Sequence, residues 1–411
     1  MHKLIKYSFY ILCSYFISVL IIPWFLHESI KNSLLFSFGL FFVSIFVAEL
    51  VFRLLYKLKF KTTYQIIPKV PFKKIYIEPH PYLPFVRKKH FISQKIMPVT
   101  YPLNKDKGFW FGQHRTNNFR YKNGPNGDRH ITVPKPEGLI RVNCLGGSTT
   151  GNYLVYKGKS FSYPMELEKI LRMQFPDKKI EVNNFGQGGW TSAEILIDFL
   201  LETMNTKPDI VVINHAYNDL PVSLTPGFQS DYSHAKKNLG ETFYLYRLAS
   251  FIPHIPLAFY NFFVTKLFYQ HISFSLLESI SKGRVCLDGE FKGTTTYKRN
   301  IEYIINVCNA HGINVVLSTY SHYLYNEIKN NELHKKYREG VILENRAIRE
   351  LAEKYSIPLV DNFSLVPSED RYFVDSIHFS PEGMNLLASN ISSPVIELIK
   401  KNINPFMQTL N

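Results

Sequence analysis

The chain has 411 residues, 45% of them hydrophobic, which is ample for one large core with elements to spare and excludes a mainly disordered protein. A surplus of 48 Lys and Arg over 33 Asp and Glu gives a net charge of +15, a balance that suits anionic lipid surfaces, acidic glycans or nucleic acid. No helix-turn-helix, zinc-finger or RNP-like pattern accompanies that charge, so nucleic acid is set aside as a partner.

The N-terminus opens with Tyr7 to Leu26, twenty residues without a charge, long enough to cross a bilayer as a helix. A second apolar segment, Ser33 to Tyr56, carries Glu49 and Arg53 four residues apart, able to share one helix face near an interface. The reading is a transmembrane hairpin over residues 1–61. A cleaved signal peptide is the competitor, but the first run is too long and no small-residue cleavage site follows it. Lys3 and Lys6 precede the first segment, and Lys57, Lys59, Lys61, Lys69, Lys73 and Lys74 follow the second, so the positive-inside bias puts both ends and the remainder of the chain on the cytoplasmic side. A single span, with the remainder outside, is the alternative.

From Thr62 to Glu137 ten prolines and many aromatics follow without periodicity of either kind, which reads as an ordered but irregular connector. Beyond Gly138 short apolar runs alternate with helical stretches. The strands are "LIRVNCL", "IEVNNF", "DIVVINH", "INVVLST" and "IPLVDN", and the stretches between them carry apolar residues at three- and four-residue spacing. This is the pattern of a three-layer α/β domain with a parallel sheet and crossover helices. Such sheets bind ligands at the carboxyl ends of their strands. There the sequence holds Ser148 in "GGSTTG", then "NNFGQGGWTS", then "NHAYNDL" with Asn218, and late in the chain "VDSIHFSPEG".

Acyl transfer needs a nucleophile, a base to take its proton, a group to orient the base and donors for the oxyanion. Ser148 at a strand-to-helix turn is the candidate nucleophile, with Gly146 and Gly147 allowing the tight bend. The turn lacks the lysine of a P-loop. Asp375 and His378 lie three apart, so that within one loop the carboxylate can hold the imidazole toward the serine.

These four blocks, in this order, resemble the SGNH, or GDSL-type, hydrolase family of esterases and lipases over about Ile140 to Lys401. The resemblance implies a flavodoxin-like hydrolase domain over residues 138–402. It makes Ser148 the nucleophile, Asp375 the orienter and His378 the base, and places the oxyanion donors at the Ser148 amide, a glycine amide mapped to Gly189, and the Asn218 side chain. Gly186 and Gly188 are the alternatives to Gly189. Two residues depart from the family's pattern: Gly147 stands where an Asp is usual before the serine, and Ala216 where a Gly is usual in the third block.

An insertion over 220–293, dense in aromatics, reads as a lid, an amphipathic piece on a bilayer or a plain packing subdomain. His215, Tyr217 and Trp190 are candidates to line a pocket. Four cysteines without C-x-x-C pairs read as free thiols, Cys144 as a small buried hydrophobe. The histidines show no metal-ligand spacing and no cofactor motif is present, so neither metal nor cofactor is expected. The expected function is a membrane-anchored serine esterase removing O-acyl groups, O-acetyl above all, from a surface carbohydrate. The alternatives are an O-acyltransferase with the same site, a lipase-like esterase, and a non-enzymatic membrane scaffold.

Overall fold

The computed structural model describes residues 30–60, 77–78, 80–92, 97–98, 103, 110–111, 115–151, 154–156, 159–235 and 285–403. The chain forms two units, one of residues 1–72 and 241–272, the other of residues 73–240 and 273–411.

In the first unit one helix is described, α1 (Ile30–Phe60), and it exposes Phe36, Phe42, Phe46, Leu54 and Leu58 among other large apolar side chains. Lys31, Glu49, Arg53, Lys57 and Lys59 interrupt its apolar run. Among the described residues no helix is long and apolar enough to cross a membrane. Of the expected transmembrane hairpin, the second arm, 33–56, falls within α1, and the first arm, residues 7–26, lies outside the described residues.

The second unit begins with small antiparallel pieces. β1 (Ile77–Glu78) pairs with β2 (Val86–Arg87), and β3 (Met97–Pro98) with β4 (Trp110–Phe111). After the first long strand, β5 (Leu139–Gly146), comes one helical turn, α2 (Ser148–Gly151). The hairpin of β6 (Leu154–Tyr156) and β7 (Lys159–Phe161) then returns to β4, so that a sheet in the order β3-β4-β6-β7 joins the connector to the body. Strands of two or three residues leave no alternation to read in a sequence, which is why this stretch looks irregular there.

All five apolar runs expected as strands fold into one parallel sheet. β8 (Lys179–Gly186), β9 (Ile210–Asn214), β10 (Asn314–Ser318) and β11 (Leu359–Val360) join β5 in the order β11-β10-β9-β5-β8. Alternate side chains face opposite layers. Val142, Cys144, Val182, Val212 and Val316 pack with Leu167 and Leu171 of α3 (Tyr163–Gln174) and with Leu387, Ile391 and Val395 of α9 (Pro381–Ile403). The other face meets α4 (Ser192–Leu201) and α6 (Thr294–Ala310), the latter backed by α7 (Glu332–Tyr355), while the short α5 (Asp219–Ser223) and α8 (Asn362–Leu365) follow β9 and β11. The α/β class with a parallel sheet therefore stands as expected.

The chain runs from β5 outward to β8 and then back across β5 to β9, so strand order reverses at β5. In open α/β sheets the ligand crevice opens at the carboxyl end of such a switch point, and here that end is Ser148. The connector also meets β8: Arg129 Nη2 donates to the Val182 carbonyl on its outer edge at 2.7 Å, and Asn123 Nδ2 donates to the Asn183 side chain at 2.7 Å.

Candidate active site

Ser148 is the first residue of α2, immediately after the bend that ends β5. Its Oγ lies 2.9 Å from His378 Nε2. On the far side of the ring His378 Nδ1 lies 2.7 Å from Asp375 Oδ2, and the other Asp375 oxygen accepts the backbone amides of Ile377 and His378 at 2.9 and 2.7 Å. These two amide bonds fix the carboxylate within its own loop. The carboxylate then accepts a hydrogen bond from Nδ1–H and so leaves Nε2 as an acceptor for the serine hydroxyl.

Burial pulls the His378 imidazole down, but the charge and hydrogen bond of Asp375 outweigh it, and the net shift is upward. Burial likewise pushes Asp375 up, and the His378 charge, its hydrogen bond and the two amides overcome this to hold the carboxyl below its ordinary range. Each partner thus favours the other's charged form, as the step that moves a proton from Ser148 to His378 requires.

Beside Ser148 stand the oxyanion candidates. Asn218 lies just past β9, and its Nδ2 donates one hydrogen to the Trp190 carbonyl at 2.7 Å. The same nitrogen sits 2.7 Å from where a Cβ on Gly147 would be, with His215 Nδ1 at 3.3 Å. A side chain at 147 would crowd Asn218 and His215, and the bare glycine that stands there in place of the family's usual Asp leaves that space to them. Gly189 holds φ +80°, a left-handed conformation that glycine adopts without cost, and Gly188 abuts Ser148, 3.6 Å separating the Ser148 Cβ from a Cβ built on the glycine. Among the described residues the amides of Ser148, Gly188 and Gly189 donate to no protein acceptor. The arrangement offers donors and a nucleophile within one crevice.

Trp190 is buried, and its indole N–H donates to the Phe85 carbonyl at 3.2 Å. Arg87 Nη1 donates to the Gly186 carbonyl at 3.1 Å, and the Phe85 ring approaches Gly189. The connector thus supports the second block directly, a role its irregular sequence gives no sign of. Tyr217 is half-buried beside the site, while His215 is fully buried and bonds Asp219 through Nε2 at 2.8 Å. Asp219 also accepts the Ser192 amide at 2.9 Å, the Ser192 hydroxyl at 2.5 Å and the Tyr232 hydroxyl at 2.8 Å. This second carboxylate was not singled out from sequence, because its partners lie far apart in the chain. Cys144 is buried in β5, where burial pushes its thiol up, out of reach of nucleophilic chemistry. Of the 220–293 insertion, residues 236–284 lie outside the described residues.

A sequence model of the GDSL-like Lipase/Acylhydrolase family matches residues 144–386, more than half of the chain. The chain belongs to that family, and it is an ester-bond hydrolase. A search of curated proteins returns no match. Among solved structures it is similar to Axe2, an acetylxylan esterase from Geobacillus stearothermophilus, at 15% identity over 62% of this chain and 94% of that one, with a TM-score of 0.39. It is also similar to the lipase/acylhydrolase from Enterococcus faecalis, at 18% identity over 62% and 93% of the two chains and a TM-score of 0.36. A GDSL-like lipase from Bacteroides thetaiotaomicron matches at 16% identity over 62% and 88%, with a TM-score of 0.35. At these values the three likenesses carry no weight for the substrate.

Proposed function

We propose that this member of the acylhydrolase family is a serine esterase that removes O-acyl groups through an acyl-enzyme. Ser148 attacks the ester carbonyl, His378 takes its proton and returns it to the leaving alcohol, and Asp375 holds the imidazole. The Ser148 and Gly189 amides and Asn218 Nδ2 receive the oxyanion. Water, activated by His378, then releases the acid. The observation that carries this reading is the continuous contact from Ser148 Oγ to His378 at 2.9 Å and on to Asp375 at 2.7 Å. The test is hydrolysis of acetyl, butyryl and long-chain p-nitrophenyl esters by the wild type and by Ser148→Ala. Turnover by the Ser148→Ala protein at the wild-type rate rejects the nucleophile.

The preferred substrate is a short O-acyl group, acetyl first, on a carbohydrate. Support comes from the basic surplus, which suits an acidic glycan, and from the aromatic and histidine side chains about the crevice. Specificity climbing steadily with chain length, by up to ~0.8 kcal/mol for each buried methylene, makes the enzyme lipase-like instead.

Membrane association belongs to the same proposal. It rests on the uncharged run of residues 7–26 and on the apolar side chains that α1 exposes. By its flanking lysines the catalytic unit faces the cytoplasm. Flotation of the full chain with liposomes tests the first point. Labelling a cysteine introduced into the 62–137 segment with an impermeant reagent tests the second, and labelling from outside moves the catalytic unit across the membrane.

A further inference from the structure

Four of the five strand ends carry the residues already described. The fifth, after β10, bears "TYSHYLY", residues 319–325, and by strand order it lies between the loop of Asn218 and the loop of His378. The backbone ties it to the latter, Tyr323 N donating to the Ser376 carbonyl at 2.8 Å.

His322 in this loop is 3% exposed, and neither of its ring nitrogens has a protein partner. Its ring stacks on Tyr217, the neighbour of Asn218, with centroids 5.7 Å apart and planes at 26°. Tyr337 meets the same Tyr217 ring edge-on at 5.2 Å, and its hydroxyl is also without a partner. His334, one turn earlier on α7, adds an unpartnered Nδ1. Three orphaned polar atoms therefore stand on the two rings packed against one tyrosine beside the triad, and His334 Nδ1 adds a fourth nearby on α7, whereas buried polar atoms are nearly always bonded.

Burial, and after it the Arg338 charge, pull the His322 imidazole down to about 3, so it is neutral at any working pH. A neutral imidazole offers one N–H and one bare nitrogen. A hydroxyl group, which both donates and accepts, matches that pair. An apolar chain leaves every orphan unpaired.

We propose that His322, with His334 Nδ1 and the Tyr337 hydroxyl, forms a subsite for hydroxyl groups on the alcohol part of the ester, a sugar ring or similar polyol laid against Tyr217. The assignment rests on Ser148 as the nucleophile, since only then is this the side of the crevice that receives the leaving alcohol. Half-buried Arg338, whose guanidinium donates to the His322 carbonyl, is the side chain an entering ring displaces.

The test separates binding from turnover. Calorimetry measures the affinity of a mono-O-acetylated hexose for the Ser148→Ala protein and for Ser148→Ala combined with His322→Phe, which keeps the stacked ring and removes both nitrogens. The expected result is at least tenfold weaker binding in the double variant. In parallel, His322→Phe on the active enzyme loses at least ten times more kcat/KM with the sugar acetate than with p-nitrophenyl acetate. Equal affinity of the two Ser148→Ala proteins, or equal kinetic losses on both esters, overturns the subsite and leaves water as the partner of the orphans. If the Phe variant does not fold, Tyr337→Phe is read by the same two ratios. Loss of the esterase reading shows separately, as ester turnover independent of Ser148, while the calorimetric comparison still decides the subsite.

Discussion

Two histidine–aspartate pairs lie within this catalytic unit, and they differ in what stands around them. His378 and Asp375 bond at 2.7 Å with side chains 21% and 22% exposed, while His215 and Asp219 bond at 2.8 Å with side chains 1% and 0% exposed. Among the described residues the first pair's carboxylate is held by hydrogen bonds from its own loop and its own imidazole, and the far nitrogen of that ring faces a hydroxyl. The second pair's carboxylate is tied to Ser192 and Tyr232 as well, and the free nitrogen of its imidazole faces the bare Gly147. Burial pushes Asp219 up, yet the hydrogen bond and charge of His215 and the bonds from Ser192 hold it below its ordinary range. On the proposed mechanism the same two residue types serve as a proton relay where a serine hydroxyl and solvent reach them, and as a brace where neither does.

The sharpest way to break this contrast is at the relay. Ser148→Ala and His378→Ala should each lower kcat on p-nitrophenyl acetate by on the order of 10⁴-fold or more, and the double variant should be no worse than either, because such residues act as a unit. A His378→Ala enzyme with the wild-type rate at neutral pH removes the relay. At the brace the loss should appear in folding. Asp219→Ala leaves His215, Ser192 and Tyr232 buried without their acceptor and should cost about 3–5 kcal/mol in a urea unfolding titration. Asp375→Ala, at a partly exposed site, should cost clearly less stability; equal losses erase the distinction.

Between the two pairs stands Asn218. Its replacement by Ala should raise the barrier by roughly 3–4 kcal/mol, seen as a fall in kcat with little change in KM, since an oxyanion donor acts in the transition state. A rise in KM alone assigns Asn218 to ground-state binding. The smallest effect is in pH. The imidazole accepts a proton only when neutral, and its upward shift means activity is lost as pH falls through a midpoint above the ordinary value of about 6.5. Asp375→Asn removes the charge that raises it and leaves burial, so the acid limb of the residual kcat/KM profile should move to lower pH. A limb that stays put disconnects Asp375 from the titration.

Much of this molecule is legible in its residues. The main strands show because each is an apolar run bounded by polar or glycine residues, and the site blocks show because they fall at the ends of those strands. Ser148, Asn218, Asp375 and His378 do converge on one crevice. What stays hidden depends on distance along the chain or on brevity. The partners of Asp219 are 27 and 13 residues away, and nothing local marks Ser192 or Tyr232 for that use. His322 reads as one histidine among fourteen until the fold sets it against Tyr217. The connector's strands are too short to carry a period, so Phe85 and Arg87, which meet the second block, look like any aromatic and any base in a basic stretch.

The cover over β8 bears on whether copies of this chain can pair strand to strand. A parallel sheet of five strands has two margins, and one of them, β11, is only two residues long, too short to template another chain. The other, β8, runs for eight residues, and Arg129 and Arg87 occupy its Val182 and Gly186 carbonyls. Without them it offers a row of unsatisfied amides and carbonyls, the geometry from which strands of neighbouring molecules zip together. The connector thus acts as a gatekeeper against self-association, and a fragment trimmed to begin at Gly138 loses that guard along with its fold-stabilising bonds.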